Sequence, residues 1–175
     1  MKIFNTISEY GIISKLFHWI TAVLLFLQIP AGFYLVGLDF GETRITVENY
    51  HVIGGILIFY ITILRLIYKI FNPTPSLTNS QFPGQKLIAK LNHIFLYLTI
   101  FTITISGALK KLLGGEKLNI FISKIKIKSN FELAEIFYEV HIYANYTLIA
   151  LISLHIFAVI IHKIVFKENI LRKIT

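Results

Sequence analysis

Three of the chain's six histidines, His141, His155 and His162, fall within one apolar stretch, residues 135–166. At 100° per residue, His155 returns to within roughly 40° of His141, and His162 to within roughly 20° of His155, so all three share one helical stripe. At 1.5 Å per residue His141 and His155 stand roughly 21 Å apart along the axis. That is most of a hydrocarbon thickness. It is too far for one metal ion and suits two stacked planar cofactors inside a helix bundle. Zinc would gather its histidines into a single tetrahedral sphere, which this spacing denies. The rest of the chain must then supply a partner imidazole for each centre.

The other ligand types are missing. There is no cysteine, and the single methionine is Met1. This excludes an iron–sulfur cluster, a thiolate ligand, covalent haem attachment through C-x-x-C-H and internal His/Met ligation. Haem in such a chain would be non-covalent and held by two histidines. These residues point to an all-α, integral membrane four-helix bundle enclosing two non-covalent haems. A chain without haem, whose histidines make a proton path or a polar core, is the colourless alternative.

Composition supplies the setting for such a bundle. Of 175 residues, 55% are hydrophobic and 15% charged, where a soluble domain carries about 25% charged residues. The mean hydropathy is +0.71. The net charge of +8 is spread between apolar runs rather than gathered in one domain, which argues for contact with membrane lipid and against nucleic acid. Spanning helices are expected over about 12–36, 50–70, 86–109 and 135–166, in one domain covering 1–175. The first carries His18-Trp19 and Pro30-Ala31-Gly32, read as a kink or loosened end. Residues 37–50 read as a loop. The second opens on His51 with Gly54-Gly55, small residues that allow close approach, and closes on Arg65 and Lys69. Asn72-Pro73-Thr74-Pro75 stops it, and a polar linker follows to about residue 84. The third begins near His93. The connection 110–134 holds six lysines and a Gly114-Gly115 turn signal, and 120–128 partly alternates apolar and basic residues.

Four spans put both termini on one side. That side, with the 71–90 connection and the flanking residues, holds ten of the 17 Lys/Arg and two of the nine Asp/Glu. The positive-inside rule then makes the termini cytoplasmic. Depth pairs His51 with His141 near the outer surface and His18 with His155 nearer the inner one. His51 and His141 also suit solvated interfacial positions, whereas an ionisable group as deep as His18 or His155 is functional by default. His93 and His162 fall near the inner surface. They read either as interfacial histidines or as a polar pocket holding a quinone carbonyl and relaying protons.

The ordered set Ser14-x-x-x-His18-Trp19, His51-x-x-Gly54, Arg65 with Asn72-Pro73-Thr74-Pro75, Asn92-His93, and His141, His155 and His162 with the tail from Lys167 to Arg172 resembles the bacterial cytochrome b561 family over nearly the whole chain. The resemblance implies a bacterial inner-membrane protein with two haem b groups, held by His18 and His155 and by His51 and His141. It also implies an activity: superoxide gives an electron at the outer face, and ubiquinone is reduced at the inner face. His93 and His162, with Lys90 or Lys86 nearby, match the quinone pocket. The lysine-rich outer loop would draw a small anion toward the outer haem, or simply meet water and anionic headgroups. Related cytochromes anchor hydrogenases and formate dehydrogenases, so a redox partner subunit is the alternative electron donor.

Overall fold

The computed structural model describes residues 2–75 and 83–175. The 76–82 part of the expected polar linker lies outside the described residues. Four helices are long and apolar enough to cross a membrane: α1 (Ile12–Val36), α2 (Glu42–Phe71), α3 (Gln85–Leu113) and α4 (Phe131–Ile164). The fold is a four-helix membrane bundle, because in hydrocarbon a helix satisfies its backbone groups internally. Side chains such as Phe26, Leu27, Phe157 and Ile160 are exposed on its outside, where lipid tails would cover them. Inside, Ile58, Ile100 and Leu148 form one buried cluster and Ile56, Leu112 and Leu118 another.

Three boundaries differ from the sequence expectation. α2 begins at Glu42, so most of the stretch expected as a loop is helix. Glu42, Arg44 and Glu48 are charged because these first turns stand beyond the apolar window, not because the chain is irregular there. α3 continues to Leu113 and α4 starts at Phe131, its end fixed by the Asn130 side chain accepting from Leu133 N–H at 3.1 Å. Such a cap satisfies a donor the helix cannot. Pro30 is retained inside α1, which runs on to Val36. Between α3 and α4, β1 (Leu118–Asn119) pairs antiparallel with β2 (Lys124–Ile125). The hairpin is held to α2 by the Tyr60 hydroxyl donating to Ile120 O at 3.2 Å.

The termini are tied down on the opposite side. Asn5 Nδ2 donates to Pro73 O at 3.0 Å, while Gly11 N–H and the Ser14 hydroxyl donate to Asn5 Oδ1 at 3.0 and 2.8 Å. The Trp19 indole donates to Ile174 O at 2.9 Å, and Lys15 reaches Thr175 O. Trp19 therefore fastens the tail as well as marking an interface.

Gly54 is needed for packing: a Cβ there would overlap the amide of Gln28 on α1. Overpacking of this kind costs about 1–3 kcal/mol, so Gly54→Ala should lower the thermal unfolding midpoint in detergent. An unchanged midpoint would show that Gln28 swings clear without cost.

Candidate functional site

The backbones pack in the order α1, α2, α3, α4, and α4 makes no comparable packing against α1 or α2. That gap between α4 and the first two helices is where the histidines meet. The His51 and His141 rings lie with centroids 6.2 Å apart, and those of His18 and His155 6.3 Å apart. Both expected pairs are brought together. A cavity beside the first pair is lined by Gly32, Glu48, His51, Gly107, Lys111 and His141 among others.

Each pair can be tested for its fit to one haem iron. A metal–nitrogen distance of about 2 Å, with the ring centre about 1.1 Å further, means that two imidazoles sharing one metal would have ring centres up to roughly 6.2 Å apart. Both pairs lie close to that limit. His93 also approaches His155, at 5.4 Å, which is short of it. His141 Nδ1 lies 2.9 Å from Ile103 O, so it carries the proton and donates, leaving Nε2 free to ligate. His51 Nδ1 is buried without a partner. A Cβ on Gly32 would come within 3.2 Å of the His51 ring, and one on Gly107 within 3.0 Å of the His141 ring. These glycines leave the two rings their room. Among the described residues no three His, Cys, Asp or Glu side chains converge as a site for a bare ion. Two imidazoles in each pair are a donor set that fits a haem iron.

A family model described as prokaryotic cytochrome b561 matches residues 9–175. The chain belongs to that family. One relative, cytochrome b561 homolog 2 of Escherichia coli (strain K12), is 25% identical over 182 aligned residues, covering 99% of this chain and 94% of that protein. The chain is thus a multi-pass membrane cytochrome of a family that binds b-type haem and serves electron transport.

Several neighbours of this cytochrome's histidines are not evident in the sequence. Arg65 Nη2 lies 3.2 Å from His18 Nδ1, and its guanidinium sits 5.5 Å from the centre of the Tyr97 ring. By composition Arg65 is simply a charge closing the second apolar run, yet it stands 14 residues after His51. That is the same interval that separates His141 from His155, and it places Arg65 on the histidine stripe. Near the outer pair, Lys111 is only 7% exposed. Its ammonium lies 3.4 Å from Glu48 and 2.5 Å from Glu116, with Lys110 3.6 Å from Glu48. The sequence conceals Glu48's part because α2's first turns read as loop. Lys111→Ala would strand two carboxylates beside one half-exposed lysine. Breaking a fully buried pair costs about 3–5 kcal/mol. Glu116 is mostly exposed, so about 1–2 kcal/mol is expected, read as a lower thermal midpoint that Lys111→Arg largely restores.

His93 and His162 lie in different surroundings. His93 lies against His155. His162 has both ring nitrogens engaged: Nδ1 donates to Glu168 at 3.1 Å, and Nε2 accepts from Gln85 at 2.8 Å. With the Phe166 ring 5.3 Å away, His162 fastens the start of α3 and the chain after α4 together. No described contact joins Lys90 to either histidine.

Proposed function

We propose that this cytochrome holds two b-type haems, through His18 and His155 and through His51 and His141, and carries electrons from superoxide outside to ubiquinone inside. The bacterial inner membrane, with cytoplasmic termini, is the proposed setting. The observation that carries the reading is the pair of matched imidazole couples, each at the separation of two ligands on one iron, roughly 21 Å apart along α4. Haem supplies reversible one-electron chemistry when bound. The protein's part is to hold the imidazoles, to orient His141 through Ile103, and to exclude lipid and water from between the helices.

At the inner face, His93 is the residue best placed to meet a quinone carbonyl, because His162 already spends both nitrogens on Gln85 and Glu168. His93→Ala should keep both haems and slow quinone reduction, whereas loss of a haem would reassign His93 as a ligand. At the outer face, Lys110 and Lys111 are partly neutralised by Glu48 and Glu116, so Lys117 and the hairpin lysines carry more of any pull on superoxide. Neutralising Lys110, Lys111 and Lys117 together should slow superoxide oxidation by about tenfold at low salt and flatten its salt dependence. An unchanged rate would rule out electrostatic steering.

The reading is tested by supplying superoxide enzymatically to the purified protein with ubiquinone. Quinol should form, and superoxide dismutase should stop it. The second reading, a cytochrome subunit fed by a peripheral redox enzyme, draws support from the hairpin, where Phe121 and Ile122 are 58% and 87% exposed. Co-purification with a large redox subunit, and no response to superoxide, would favour it.

A further inference from the structure

Arg65 stands beside the inner histidine pair, with Lys69 one helical turn further on. Arg65 and Lys69 both approach the Tyr97 ring, at 5.5 and 5.1 Å, and no ion pair joins either to an acidic side chain among the described residues. The sequence explains why. The side that carries the termini has only Glu9 and Glu168, and Glu168 is bound to His162. Tyr10 supplies no compensating charge, since burial raises its phenol despite the opposing pull of Arg65. The outer end is built differently: Lys110 and Lys111 face Glu48 and Glu116, two against two. A cation within a membrane span is costly unless it finds a partner.

The hydrogen bond from Arg65 to His18 is also incompatible with a ligated His18. A guanidinium only donates. At 3.2 Å it makes His18 Nδ1 the acceptor, which puts the ring proton on Nε2. A histidine bound to iron through Nε2 instead carries its proton on Nδ1, as His141 does toward Ile103 O. That donor of Arg65 is then released, and among the described residues no acidic side chain is paired with it. The b-type haem brings two carboxylates.

We infer that Arg65, backed by Lys69, is the seat of a carboxylate of the haem held by His18 and His155. This rests on the ligand pairs proposed above. Arg65 is here a positioning residue: it fixes the inner haem's orientation and, as a nearby positive charge, favours its reduced form. The cations nearest the outer pair, Lys110 and Lys111, face Glu48 and Glu116, so the two haems should differ in potential, the inner one being easier to reduce.

The test uses the intact two-haem protein, with haem isotope-labelled at its carboxylate carbons, and records potentiometric titrations and redox-difference infrared spectra. In Arg65→Gln the inner haem's carboxylate band should shift, and its midpoint should fall by a tenfold change in the reduced-to-oxidised ratio, about 59 mV for one electron. The outer haem should be unmoved. If Arg65→Gln loads no inner haem, Arg65→Lys should restore it with a displaced carboxylate band. A single haem in the parent protein would overturn the ligand pairs and this inference with them. Two haems, with band and midpoint both indifferent to loss of the guanidinium, would overturn this inference alone.

Discussion

His155→Ala is expected to remove one haem per chain and leave the other bound with its spectrum unchanged. His141→Ala should do the same for the opposite haem. Both residues lie on α4, but their partners are on different helices, His18 on α1 and His51 on α2. The two sites stand roughly 21 Å apart along that helix. Effects at sites beyond about 10 Å with no shared partner are close to additive. Each single variant should therefore retain one b-type haem, and the double variant none. The single variants should also lose electron transfer from superoxide to quinone, because each retains a centre near only one face. Haem content by pyridine haemochrome and the reduced-minus-oxidised spectrum read the outcome. Loss of both haems from either single variant would show that one haem is needed for the other to assemble.

Gly107→Val should weaken haem binding at the outer site while both of its ligands remain. The Gly107 Cα faces the His141 ring, and even a Cβ would meet Cε1 and Nδ1 at 3.0 Å. Helix propensity alone favours the substitution, since glycine within a helix costs about 0.5–1 kcal/mol relative to alanine. Overpacking opposes it at about 1–3 kcal/mol and outweighs the gain. Valine would push the ring off Ile103 O as well, removing the contact that orients the ligating nitrogen. Taken through to affinity, that cost corresponds to about 5- to 150-fold weaker haem retention. The inner haem should be unaffected, and dilution or competition with a haem-binding apoprotein measures the difference. Equal retention of both haems would mean that His141 can retreat without losing its bond.

The four spans and the histidine pairing were legible in the sequence because each rests on a strong periodic signal. Long apolar runs specify the helices, and one interval of 14 residues on α4 specifies two depths. Local charge obscured the rest. Glu42, Arg44 and Glu48 read as loop because α2 leaves the apolar layer before it ends as a helix. Glu48's pairing with Lys110 and Lys111 joins residues more than sixty positions apart, and no local pattern encodes it. His162 showed the right type and stripe for a site, but its ring is engaged by Gln85 and by Glu168, six residues on. Arg65 read as a charge closing the second apolar run. Its direction, inward to His18 rather than outward to water, is set by tertiary packing.

Whether His18 with His155, and His51 with His141, are the ligand pairs of two haems is tested most directly by a reduced-minus-oxidised visible spectrum. The purified, detergent-solubilised protein is used, with pyridine haemochrome quantification. Two b-type haems per chain are expected. One would mean that a pair is misassigned, with His51 and His141 the first to doubt. None, after expression with adequate haem supply, would contradict haem ligation altogether and leave the histidines as a polar path within the bundle.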